Sequence, residues 1–178
     1  MYEPKRRDII CLDTCVVIWG IKKESNPEDE DKQRRAHHLL VKLDELDAKV
    51  IVPSVALGET LSGCDDSRRA KFLQEMQSKL IIAPYDSVAA YYYAEMWRKR
   101  EMLKDEVQRK NKEIEFNRNK LKADFMIVAT AKAQGASCIY TSEGELNVFR
   151  SFAKHANPEI KVESLPNVIY QPDIFSNS

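Results

Sequence analysis

Ile9-Ile10-Cys11-Leu12-Asp13-Thr14-Cys15-Val16-Val17-Ile18 decides how the rest of the chain is read. An apolar run meets an acid, and a second apolar run follows Thr14 and Cys15. An unbroken apolar run this short suits a central strand of a parallel sheet, although periodicity alone also allows a buried helical segment. A carboxylate at the end of such a strand is costly to desolvate without a partner. Open α/β sheets bind their ligands outside the carboxyl ends of the strands. Asp13 is therefore either the cap of the next helix or one wall of a site.

Working outward, Thr14 caps a short helix to about Trp19, and Gly20 breaks it. Residues 22–31 read as a polar loop around Pro27. Ala36, Leu39, Leu40, Leu43 and Leu46 recur at helical spacing and predict an amphipathic helix over 32–47. Its adjacent His37 and His38 point to different sides and read as solvated. Lys49-Val50-Ile51-Val52 is a second strand, stopped by Pro53, with Ser54 as a plausible cap for a helix over 55–61. A further helix follows over 68–79, then a third strand, Leu80-Ile81-Ile82-Ala83, and a long helix from about Val88. An Ala-rich helix over 122–134, with Asp124 in its first turn and Gly135 after its end, leads to a fourth strand, Ser137-Cys138-Ile139-Tyr140. Ile160 to Val162 is a candidate fifth, edge strand, and residues 166–178 read as a loose tail. Alternating strands and helices predict an α/β fold with a mostly parallel sheet of four or five strands.

Residues 98–122 stand apart in composition. Ten basic residues, Arg98, Lys99 and Arg109, Lys110, Arg118 and Lys120 among them, face five acids, a local charge of +5. With no strong apolar stripe, this stretch reads as an exposed helical extension or a mobile arm. Its charge suits either phosphate contacts or a solvated helix with its own ion pairs. Tyr91, Tyr92, Tyr93 and Trp97 just before it are able to stack bases, but helical spacing puts at least two of them in the core.

The whole chain, 178 residues with 43% hydrophobic and 31% charged, suits one domain with a real core. Its 28 basic and 28 acidic residues cancel, so no global charge marks a nucleic-acid binder, and none forbids one. Cys11, Cys15, Cys64 and Cys138 form no C-x-x-C pair and read as reduced, with zinc not expected. No apolar run approaches bilayer length, so the expectation is a cytoplasmic protein with no membrane association.

The acids then form a set. Asp13 follows the first strand and Glu143 and Glu145 follow the fourth, so parallel strands put them on one edge. Glu59 lies one to two turns into the helix after the second strand. Asp124 opens the helix that feeds the fourth. Converging carboxylates repel unless a hard divalent cation, Mg²⁺ or Mn²⁺, joins them. Singly, each acid also has an ordinary reading: a cap for Asp13, a helix-dipole partner for Asp124, a solvated side chain for Glu59, loop acids for Glu143 and Glu145.

Four stretches together resemble PIN-domain nucleases. Cys11-Leu12-Asp13-Thr14-Cys15-Val16-Val17-Ile18 is similar to the family's opening strand and Leu-Asp-Thr-Asn motif. Val52-Pro53-Ser54-Val55-Ala56-Leu57-Gly58-Glu59 resembles the second, Leu121-Lys122-Ala123-Asp124-Phe125-Met126-Ile127-Val128-Ala129-Thr130-Ala131 the third, and Ile139-Tyr140-Thr141-Ser142-Glu143-Gly144-Glu145-Leu146 the fourth. The resemblance spans about residues 8–165 and implies one domain with a three-layer α/β/α PIN-like fold. It further implies a Mg²⁺- or Mn²⁺-dependent ribonuclease, often a VapC-type toxin with an antitoxin protein partner, and a homodimer. Asp13, Glu59, Asp124 and Glu143 (or Glu145) would be the metal-holding, catalytic acids. Thr14 and Thr141 would orient carboxylates, and Arg98, Lys99, Arg109, Lys110, Arg118 and Lys120 would contact RNA. Cys15 stands where an Asn is common, and Glu replaces Asp in the fourth stretch. A non-catalytic RNA- or protein-binding module and a metal-dependent DNA nuclease are the alternatives.

Overall fold

The computed structural model describes residues 2–22, 27–110, 118–142 and 146–167. The opening run forms strand β1 (Ile9–Leu12), with Ile10, Cys11 and Leu12 fully buried. The other strands are β2 (Lys49–Pro53), β3 (Ile81–Ala83), β4 (Cys138–Thr141) and β5 (Lys161–Ser164). They form one five-stranded sheet in the order β3-β2-β1-β4-β5, and every pairing is parallel. Cys11 stands opposite Ile51 on one side and Ile139 on the other, so the quoted run is the central strand. The fold is the expected three-layer α/β/α arrangement, with five strands.

Helices α1 (Thr14–Val17), α2 (Glu30–Glu45), α3 (Ser54–Ser62), α4 (Asp66–Lys79), α5 (Ser87–Arg98), α6 (Arg100–Lys110), α7 (Arg118–Ala133) and α8 (Leu146–Ala156) make the connections. A parallel sheet requires such crossovers. The chain steps outward from β1 to β2 to β3, then returns across the sheet to β4 on the other side of β1. That reversal opens a crevice at the carboxyl ends of β1 and β4, where doubly wound sheets hold ligands.

Several local readings are corrected. Asp13 rather than Thr14 caps α1, its carboxylate accepting from the Thr14 amide at 2.7 Å. Gly20 does not break the helix, which continues as a π-type turn over Ile18–Lys22. A Cβ on Gly20 would lie 2.8 Å from Leu40 Cδ1, so glycine lets this turn lie directly against α2. Ser54 is the first residue of α3 rather than its cap, and its hydroxyl accepts from the Tyr85 amide at 3.1 Å, tying the exit of β3 to α3.

The basic stretch is less of an arm than its composition suggests. After the end of α5 it continues as α6, which packs on α8 and carries Leu103, wholly buried in a segment without a strong apolar stripe. His155 on α8 meets Glu106 at 3.1 Å beside it. Leu103→Ala is expected to cost about 2–5 kcal/mol, read as a lower denaturation midpoint. An unchanged midpoint would mean α6 contributes nothing to the core.

All four cysteines are free, and among the described residues no helix is long and apolar enough to cross a membrane. The tail expected to be loose lies outside the described residues from position 168 onward.

Candidate active site

The crevice beside β1 is a cavity of about 510 Å³. Asp13, Glu59 and Asp124, from three distant stretches of sequence, all line it. So do Thr14, Cys15, Trp19, Lys32, Arg35, Lys120 and Ser142.

Asp13 is held most firmly. Its main-chain amide donates to Tyr140 O at 3.0 Å, extending the β1–β4 ladder by one bond. One carboxylate oxygen accepts from the Thr14 amide. The other accepts from the Thr141 hydroxyl at 2.7 Å and the Cys15 thiol at 3.2 Å. Cys15 therefore supplies a donor to this carboxylate, weaker than an amide because a thiol is a poor donor. Burial raises the Asp13 pKa above its usual 3.8, the three donors oppose the rise, and the Glu59 charge adds to it. Burial also drives the Cys15 thiol well up, so it stays protonated and donating at neutral pH.

Glu59 lies on α3, exposed, and Thr14 binds its carboxylate through a hydroxyl at 2.5 Å. Thr14 thus joins the first two acids: its amide holds Asp13 and its hydroxyl holds Glu59. Asp124 is a correction to the expected geometry. The helix is already formed at Arg118, six residues earlier, so Asp124 lies beyond the first turn, 8% exposed, rather than at the helix mouth. The macrodipole reading for it therefore weakens, because that effect fades beyond the first turn. Arg118, Asn119 and Lys120 are exposed and polar, which is why the apolar pattern alone missed this part of the helix.

Glu143 and Glu145 lie outside the described residues. Ser142, just before them, lines the cavity. Of the basic residues singled out, Lys120 lines the cavity; Arg98 and Lys99 at the end of α5, Arg109 on α6 and Arg118 on α7 are exposed and do not. The Lys110 side chain lies outside the described residues.

Two cations at the cavity were not anticipated. Arg35 is 9% exposed; its guanidinium donates to Leu165 O at 2.6 Å and Pro166 O at 3.0 Å, pinning the chain after β5 against α2. Its signal was present, since Arg35 precedes Leu39 and Leu43 at four-residue steps and so shares their inward face. Lys32 pairs with Asp29 at 2.7 Å and lies over the Trp19 ring at 5.0 Å, a meeting with Trp19 that spacing does not reveal.

Among the described residues, no three Asp, Glu, His or Cys side chains are drawn tightly enough together to hold an ion as they stand. The donor set nevertheless suits a hard divalent cation. Asp13, Glu59 and Asp124 offer only oxygen, and the Glu59 charge already raises the cost of ionising Asp13.

A family model for the PIN domain matches residues 10–152. The chain belongs to the PIN-domain family. Three solved structures share this PIN fold. One chain is in the crystal structure of VapBC2 from Rickettsia felis bound to a DNA fragment from their promoter. It matches with a TM-score of 0.59 at 17% identity, covering 89% of this chain and 99% of that one. A chain of DNA-bound VapBC from Salmonella typhimurium matches at 0.52 and 20%, covering 92% and 100%. A chain of VapBC-1 from nontypeable Haemophilus influenzae matches at 0.53 and 10%, covering 88% and 98%. At these identities the likeness is one of fold. Comparison with curated proteins returns no sequence match.

Proposed function

We propose that this PIN domain is a Mg²⁺- or Mn²⁺-dependent endoribonuclease acting as the toxin of a toxin–antitoxin pair. The observation that carries the reading is the meeting of Asp13, Glu59 and Asp124 on one cavity at the sheet's switch point. Family membership supports a nuclease, and the likeness to chains of VapBC complexes supports an antitoxin partner and a homodimer.

Asp13, Glu59 and Asp124 would hold the ion, with Glu143 or Glu145 reaching the same edge from the loop after β4. When bound, the ion supplies Lewis acidity at the scissile phosphoryl group and favours ionisation of the attacking water. The chain's own residues do the rest. Thr141, Cys15 and the Thr14 amide fix the direction of the Asp13 oxygens, so little reorganisation is left at the moment of reaction. The Thr14 hydroxyl fixes Glu59. Lys120, at the rim, meets a backbone phosphate and brings the scissile group toward the acids.

The test is cleavage of a mixed pool of structured and single-stranded RNAs with Mg²⁺, Mn²⁺ or EDTA. Metal-dependent cutting that Asp124→Asn lowers about 10²–10³-fold is the expected result. Cutting of single-stranded or flap DNA alone would reassign the substrate. Binding of RNA without cutting under any metal would make the domain a binding module.

A further inference from the structure

Away from the cavity, cations gather around Trp97. Trp97, half-buried near the end of α5, stacks on Tyr93 with centroids 5.8 Å apart and planes 11° from parallel, and it meets Phe125 edge-on at 6.2 Å. Three cations converge on this indole: the Arg100 guanidinium at 5.0 Å from the ring centre, the Arg118 guanidinium at 5.9 Å and the Lys122 ammonium at 5.9 Å. Each is attracted by the ring, but the three repel one another. Arg100 is partly compensated, reaching Glu101 at 3.4 Å and donating to Trp97 O at 3.0 Å. Among the described residues, Arg118 and Lys122 have no acid within ion-pair reach.

The spacing on α7 relates this cluster to the cavity. Arg118 and Lys122 are four residues apart and share the side that meets Trp97. Lys120 and Asp124, also four apart, line the cavity. The first turns of α7 therefore carry cations on both flanks, across a helix roughly 10 Å wide. A small anion satisfies one flank only, whereas a chain of phosphates satisfies both.

We propose that Arg100, Arg118 and Lys122 around Trp97 form a second phosphate subsite, over which the RNA strand passes after crossing the first turns of α7 from the cavity. This rests on the reading of the cavity as the nuclease centre. The strand's charge relieves the repulsion within the cluster, and Trp97, braced by Tyr93 and Phe125, keeps the cations in place.

The chain's two tryptophans allow a site-resolved test, because Trp19 lines the cavity and Trp97 sits in the cluster. Trp19→Phe leaves Trp97 as the reporter, and Trp97→Phe leaves Trp19. Each is titrated in EDTA with a 12-nucleotide single-stranded RNA, while metal-dependent cleavage of the same RNA by the wild type is measured separately. Both reporters are expected to change emission. Arg118→Gln/Lys122→Gln is expected to abolish the Trp97 response, to weaken binding about tenfold at low salt, and to reduce the slope of log K against log salt by about 1.4, two contacts' worth. Lys71→Gln, an exposed charge on α4, is expected to leave all three unchanged. A Trp19 response without a Trp97 response, with the slope unaltered in the double variant, overturns the subsite and leaves the nuclease reading standing. A Trp97 response to a hexaglutamate peptide at lower concentration than to RNA also overturns it, giving the cluster to an acidic protein segment. If neither tryptophan responds and the wild type does not cleave, the nuclease reading falls and the subsite with it.

Discussion

Asp13→Asn is expected to abolish cleavage while making the metal-free protein more stable at neutral pH. Asn keeps the capping role and the overall shape, and its amide can donate where the second carboxylate oxygen accepted. What it removes is a charge buried to 6% exposure beside Glu59. Burial, the dominant cause, lifts the folded-state pKa of Asp13 above the usual 3.8 despite three donors. The sign follows from proton binding. The folded state holds this proton more tightly than the unfolded state, so the stability contributed by the protonated group is fully present below the unfolded pKa. It is lost as pH rises through the higher folded value. At pH 7 the wild type therefore bears the full penalty and the variant none, whereas in acid the two converge. A net gain of about 1 kcal/mol corresponds to roughly 2–4 °C in a chain of this length. Added Mn²⁺ or Mg²⁺ inverts the order: an ion at a hundred times its Kd stabilises the wild type by about 2.7 kcal/mol and the variant by far less. Melting curves at pH 4 and 7, with EDTA or metal, read all of this. A variant less stable than the wild type in EDTA at pH 7 would mean that the hydrogen bonds outweigh the burial of charge.

Thr141→Val carries the second large effect. Thr141 is fully buried on β4, and its hydroxyl is a donor to the Asp13 oxygen that Cys15 serves only weakly. Val fills nearly the same space and donates nothing. A hydrogen bond to a charged group contributes about 1.5–3 kcal/mol, and losing it pushes the Asp13 pKa further up. Loss of an orienting partner typically lowers metal affinity about 10–100-fold. The expected signature is cleavage that falls steeply at low metal, recovers in part at saturating metal, and returns nearly in full with Thr141→Ser. If Val and Ser behave alike, the hydroxyl has no role in holding Asp13 and the residue matters only for packing.

The cavity also explains how Cys15 is accommodated. A position where a stronger amide donor is common here holds a half-buried thiol kept protonated by its surroundings. Much of the orientation of Asp13 consequently shifts to Thr141, which is why that substitution is expected to be severe.

What the sequence by itself determined is the part governed by local periodicity. The buried run through β1, the alternation of strands and helices, the parallel sheet and the order of the acids all follow from apolar spacing and from residues such as Pro53 and Gly135. Side chains that face the core repeat at the period of their own element, so the pattern survives in one dimension. The tertiary structure alone decided where Asp124 sits within α7, because Arg118, Asn119 and Lys120 are exposed polar residues with no apolar period to mark them as helical. It decided that α6 docks on α8, where Leu103 is the fully buried apolar side chain among the described residues of the helix. It brought Arg35 and Lys32 to the acids, and Arg100, Arg118 and Lys122 to Trp97. Those meetings depend on distances between elements that are far apart in sequence, and no local spacing encodes them.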